Sequence, residues 1–196
     1  MPHDPAPNAN TPLSPEEQDE LIPSLATREE LNEWERDNIL RARQWALADH
    51  QLARLEPIRE DYVRELHRRM FDQTWKWAGT YRKTEKNLGV PVADIHERLA
   101  QLLGNAAYWL KNDTYAMDEC AVRFHYELVV IHAFPNGNGR HARLIADIVA
   151  AKRGCPVFPW GSKDTIFPGE AREAYLAALR AADHGNFELL LRFSRS

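Results

Sequence analysis

The stretch from His132 to Arg143, His-Ala-Phe-Pro-Asn-Gly-Asn-Gly-Arg-His-Ala-Arg, constrains this chain more than any other. Apolar runs of helical character flank it, with Phe124, Leu128, Val129, Val130 and Ile131 before and Leu144, Ile145, Ile148 and Val149 after. The pattern predicts a buried helix, a tight polar loop and a second buried helix, with the loop at one edge of the core. Two core helices hold such a loop rigidly enough to position chemistry.

The loop has the groups needed to hold a polyphosphate beside a general base. A helix starting near Asn138 or Gly139 leaves its first backbone N–H groups without intrahelical partners. Those donors, with the positive end of the helix dipole, form an anion site. Gly137 and Gly139 lack a Cβ, so the backbone can take positive φ and a ligand can approach closely. Asn138, between them, tolerates left-handed geometry and brings an amide. Arg140 and Arg143 are three apart and so neighbours on one helix face. Two guanidinium groups there run against the dipole's preference for acids, and a bound anion would explain them. His132 closes the preceding helix, and an imidazole with a pKa near about 6.5 can accept a proton at neutral pH. Each feature also has a structural reading. Asn-Gly-Asn-Gly is an ordinary turn, a histidine at a helix end often bonds the last carbonyls, and Phe134 is most simply a core anchor. Their combination between two buried helices favours chemistry.

These residues resemble the signature of the Fic (filamentation induced by cAMP) family, His-Pro-Phe-x-Asp/Glu-Gly-Asn-Gly-Arg-x-x-Arg. His132, Phe134, Gly137, Asn138, Gly139, Arg140 and Arg143 match it. Upstream, Trp75-Lys-Trp77-Ala78-Gly79-x-x-Arg82 and Lys86-Asn87-Leu88-Gly89 resemble the family's approach to its substrate-docking hairpin, the flap. Downstream, Tyr175-x-x-Ala178-Leu179 and Ala182-Asp183-x-Gly185-Asn186 resemble its closing helices. The resemblance covers residues 27 to 193 and is nearest the subgroup named mobile mystery protein B. It implies an all-α, Fic-like helical bundle with a short β-hairpin flap near the active site. It also implies transfer of AMP from ATP to a hydroxyl side chain of a target protein. His132 would then be the catalytic base. Gly137, Asn138 and Gly139 would hold the α-phosphate, and Arg140 and Arg143 the β- and γ-phosphates. The target would dock at the flap, about residues 83–95, by strand-like main-chain pairing.

Two positions depart from the family pattern. Ala133 replaces proline, which matters for how the helix ends. Asn136 replaces the acid that helps hold Mg²⁺; its amide oxygen is a weaker ligand for a hard cation, so magnesium would either be held mainly by the phosphates of ATP or be displaced, with reduced transferase activity or different group-transfer chemistry. Many relatives also carry an inhibitory Ser/Thr-x-x-x-Glu-Gly/Asn helix whose glutamate pairs with the second motif arginine. No strict match occurs here, but the helix opening at Thr27 offers Glu29, Glu30, Glu33 and Glu35. One of these is expected to reach Arg143, making 27–55 a candidate inhibitory or docking element.

Composition sets outer bounds. A chain of 196 residues, 44% apolar and 28% charged, suits one globular domain. A net charge of −4 argues against a nucleic-acid or anionic-membrane surface. The cluster Arg64, His67, Arg68 and Arg69 reads as the wet face of a helix. No apolar run approaches the roughly 20 residues of a bilayer span. Cys120 and Cys155 alone do not make a disulfide scaffold, so a cytoplasmic setting is expected.

Six of the twelve prolines fall within the first 23 residues, which predicts a flexible arm over 1–26 before a single domain over 27–196. Thr27 and Glu30 make a capping box, followed by a docking face of Leu31, Trp34, Asn38, Ala42 and Trp45. Further helices are expected after Pro57, with Val63, Leu66 and Met70 inward, and after a cap formed by Asp94 and Glu97, with Ile95, Leu99, Leu102, Ala106 and Trp109 inward. Segments 171–182 and 187–193 would close the chain. The tryptophans read as core, and Trp75 and Trp77 would point the same way from an extended segment.

Three competing functions are separable. His125, His132 and His141 could form a metal site, although their spacing is loose for one. A non-catalytic nucleotide sensor, working with a regulatory partner, is favoured by Asn136. A transferase of the same type could move a different phosphate-containing group.

Overall fold

In the computed structural model, residues 12–54, 56–161 and 168–196 are described. Helices are the only extended secondary structure among them. In chain order they are α1 (Pro15–Gln18), α2 (Arg28–Ala46), α3 (Asp49–Leu52), α4 (Glu60–Phe71), α5 (Ile95–Lys111), α6 (Met117–Ile131), α7 (Asn138–Lys152), α8 (Pro168–Asp183) and α9 (Glu188–Arg195). The helix–loop–helix expected around the motif is α6 and α7, which pack on each other along one side of a bundle completed by α4, α5 and α9.

Local chemistry explains several boundaries. At α2, the Glu30 N–H donates to Thr27 Oγ1 at 3.2 Å, and Glu30 Oε2 accepts from the Thr27 N–H at 3.1 Å. That is the expected capping box, closing both orphan donors. Asp94 occupies the position before α5, but its side chain makes no capping bond; a single 3₁₀ turn, Val92–Asp94, leads in instead. The buried stripe of α5 is Ile95, Leu99, Leu102 and Ala106, as the spacing requires. In α2 the inner face is rotated from expectation. Glu35, Asn38, Ala42 and Ala46 are buried, whereas Trp34 is 43% exposed and donates its indole N–H to the Gln73 carbonyl. A carboxylate thus lies inside where an indole was expected.

The first eleven residues of the expected arm lie outside the described residues. From Pro12 onward the arm is laid along residues 74–86. Ser14 and Glu17 form a second capping box around α1. Ile22 donates to the Thr74 carbonyl at 2.8 Å, and Lys76 donates to Glu20 at 3.0 Å. Glu17 accepts from the Thr84 hydroxyl at 2.9 Å and from the ammonium of Lys86. The Trp75 and Trp77 rings stack 5.1 Å apart and are both buried, but the segment carrying them is a run of turns rather than an extended strand, with the Ala78 N–H donating to the Trp75 carbonyl at 3.1 Å.

Candidate active site

The site begins where α6 stops. His132 is the C-cap residue, with φ 52° and ψ 53°, and its N–H donates to the Leu128 carbonyl at 3.1 Å. A left-handed conformation costs a residue with a Cβ about 1–2 kcal/mol, so surrounding contacts must hold it. Three consecutive carbonyls at this exit are engaged. Ile131 accepts from the Val90 N–H at 3.4 Å, His132 from Arg82 Nε at 2.7 Å, and Ala133 from the Arg82 N–H at 2.9 Å. The segment 83–95 therefore sits against His132, although no strand pairing forms within it. Its shape comes from the Arg82 side chain, which also donates to the carbonyls of Thr84 and Val90.

The loop then turns about Asn138. Its Oδ1 accepts from the Phe134 N–H at 2.9 Å, and its Nδ2 donates to the Phe134 carbonyl at 2.8 Å. Both amide atoms brace the loop, so what Asn138 leaves for an anion is its backbone N–H. Gly137, φ 78°, is the N-cap of α7, and no side chain caps that end. A Cβ on Gly137 would lie 2.4 Å from the Phe71 ring, which is why glycine stands there. At Gly139 the nearest atom to an added Cβ is the Tyr175 hydroxyl, at 3.6 Å.

Phe134 is buried and stacks on His67 with ring centroids 3.7 Å apart. His67 was grouped with a wet helix face, but it is fully buried in the core. Its Nδ1 accepts from the Gly79 N–H at 3.0 Å, which places the proton on Nε2; Nε2 then donates to the Asn136 carbonyl at 3.0 Å. Burial holds its pKa well below the usual histidine value, with His141 and Arg140 adding repulsion. The missed signal was positional: Val63, Leu66, His67 and Met70 share one helical stripe.

The two arginines diverge. Arg140 donates to Glu35 Oε2 at 2.6 Å and lies over the Phe71 ring. Glu35 Oε1 accepts from the Trp75 indole at 2.8 Å. Arg143 donates Nε to the Gly139 carbonyl at 3.3 Å and lies over the Tyr175 ring. The expected acid–arginine contact thus exists, but on Arg140 rather than Arg143, because Glu35 faces inward one turn before Asn38 and meets the first turn of α7.

Metal chemistry finds little support in this loop. Asn136 Oδ1, the one motif oxygen proposed for Mg²⁺, accepts from the adjacent Gly137 N–H at 2.6 Å. A neutral oxygen so engaged does not by itself fit a site for a hard dication. No group of three His, Cys, Asp or Glu residues among those described could hold a metal. The histidine set is divided. His125 Nε2 pairs with the Tyr175 hydroxyl at 3.1 Å, and His141 donates Nε2 to the Val63 carbonyl at 2.9 Å. Burial, with Arg143 nearby, lowers the His125 pKa to about 3, and burial lowers that of His141 to about 4.

A left-handed histidine, a side-chain-bracketed turn and an uncapped helix bearing two arginines make up this site. The Fic/DOC family model matches residues 57–150, a span that contains all of it. The chain belongs to the Fic/DOC family. It is 34% identical over 139 residues to protein adenylyltransferase fic-1 of Caenorhabditis briggsae, covering 68% of this chain and 26% of that protein. With protein adenylyltransferase Fic of Nematostella vectensis it shares 32% over 142 residues, 70% of this chain and 32% of that one. Among solved structures, Fic-1 (aa134–508 E274G) from C. elegans superposes with a TM-score of 0.66 at 27% identity, over 91% of this chain and 51% of the other. The chain therefore spans about a quarter to a third of the length of these curated relatives.

Proposed function

We propose that this chain is a Fic-type protein adenylyltransferase. The observation that carries the reading is the placing of His132: its backbone is locked between the 83–95 segment and an uncapped helix N-terminus five residues on. ATP is the co-substrate. The N–H groups at Asn138, Gly139 and Arg140 hold the α-phosphate, and Arg143, with Arg140 once it leaves Glu35, holds the departing phosphates. The target lies along residues 83–95 with a hydroxyl directed at His132. The hydroxyl oxygen attacks the α-phosphorus and its proton passes to the imidazole. The bond from α-phosphorus to the bridging oxygen then breaks, and pyrophosphate leaves. Helix N–H donors stabilise the charge that develops, which is the larger part of catalysis in such sites. Magnesium, where it takes part, enters with the ATP phosphates. No described helix is long and apolar enough to cross a membrane, and a cytoplasmic setting is part of the proposal.

Asn136 favours a second reading, a nucleotide-binding regulatory protein or a transferase of another phosphate-containing group, because the motif loop carries an amide where an acid would hold the metal. Incubation with ATP labelled at the α- or the γ-phosphate separates these. Transfer of α-label to a protein hydroxyl supports adenylylation. Transfer of γ-label alone identifies phosphate as the group moved, and binding without transfer supports the sensor.

A further inference from the structure

Arg82 is buried, and each arm of its guanidinium meets a main-chain carbonyl: His132 from Nε at 2.7 Å, Thr84 from Nη1 at 3.1 Å, and Val90 from Nη2. The nearest carboxylate among the described residues, Glu85, is exposed and 3.5 Å away, and Glu17 acts from farther off. A buried guanidinium is a costly group to place unless its donors are all used. Here they join the start of the 83–90 loop, its end, and the residue at the exit of α6. Gly89 completes the contact. A Cβ there would lie 2.7 Å from His132 Cβ and 2.9 Å from Arg82 Nη2, at a φ of 102°.

We infer that Arg82 is a positioning residue that makes the 83–90 loop and His132 one rigid unit, so that whatever docks on the loop is registered against the imidazole. This rests on the adenylyltransferase reading for its kinetic arm but not for its structural one. His132 takes the left-handed conformation although it has a Cβ, and Arg82 is the side chain bonded to its carbonyl. A lysine at this position keeps the charge but loses the planar fork, and cannot reach all three carbonyls.

The test is amide hydrogen exchange on the full chain, comparing wild type with Arg82→Lys. Exchange in both 83–90 and 128–134 is expected to rise by at least about tenfold, the equivalent of one lost charged hydrogen bond, while 99–106 and 144–150 stay protected. A core variant of matched melting temperature, Leu190→Ala, should not reproduce that pattern. If 83–90 alone loosens, or neither segment does, the inference is overturned. Should Arg82→Lys fail to fold, Gly89→Ala, whose Cβ would meet both His132 Cβ and Arg82 Nη2 and so wedge the loop off both, carries the same expectation. In the kinetic arm, kcat for AMP transfer falls while ATP binding is unchanged. Coupled loosening with an unchanged kcat overturns the registering role. A wild type that transfers no AMP defeats the enzyme reading instead and leaves the exchange result to decide the coupling.

Discussion

Glu35 of α2 and Arg140 of the motif helix α7 face each other at 2.6 Å, and the carboxylate is almost fully buried. Its other oxygen is fixed by the Trp75 indole at 2.8 Å, so the acid is held from both sides. One of the two motif arginines is thus held by an acid from another helix.

Replacing Glu35 with glutamine keeps an acceptor for Trp75 and removes the charge that holds Arg140. We expect ATP binding to tighten by on the order of tenfold, with a stability loss of about 1 kcal/mol for the weakened bond. Calorimetric titration with ATP and thermal melts measure the two separately. Unchanged affinity would mean that the pair is purely structural.

Asn138→Ala tests the turn. It leaves the buried N–H and C=O of Phe134 without their present partners, at a cost of about 1–3 kcal/mol. Melting temperature should fall by roughly 2–4 °C for each kcal/mol lost. Phosphate binding should weaken as well, because the α7 N-terminus loses its bracket.

Asn136→Asp restores a carboxylate beside the first turn of α7. ATP affinity measured with Mg²⁺ against ATP with a chelator should then separate by on the order of tenfold more than in wild type, as an added anionic ligand to a hard cation requires. An equal ratio in both proteins would show that this position does not face the metal–nucleotide complex.

Three buried histidines make stability depend on pH. His67, His125 and His141 all have folded pKa values depressed by burial, to about 3 for His125 and about 4 for His141. Below about 6.5 the unfolded chain binds protons that the folded chain refuses, so stability falls as pH drops and is regained as pH rises. The loss should level off for His141 near pH 4 and for His125 near pH 3. Urea midpoints between pH 7 and 5 check this, and His125→Phe should flatten the slope by up to about 1.4 kcal/mol per pH unit.

Much of this was legible in residue order because it depends on local chemistry. The Thr27–Glu30 box, the stripe of α5 and Gly137 each follow from spacing or from a backbone that tolerates no side chain. What was not legible depends on contacts between distant segments. Glu35 lies inside because Arg140 and Trp75, 105 and 40 residues away, both reach it. His67 looked like one more polar residue beside three arginines, and only the approach of Gly79 and Asn136 makes it a core strut. The 83–95 segment was expected as a hairpin, but a side chain rather than a β-ladder holds it, and periodicity cannot reveal that.

The most direct measurement is intact mass of the protein and of candidate targets after incubation with Mg–ATP, with wild type, Glu35→Gln and His132→Ala run side by side. The account predicts an AMP-sized adduct that is strongest with Glu35→Gln and absent with His132→Ala. ATP binding by all three with no adduct from any of them, or an adduct that persists without His132, would contradict it.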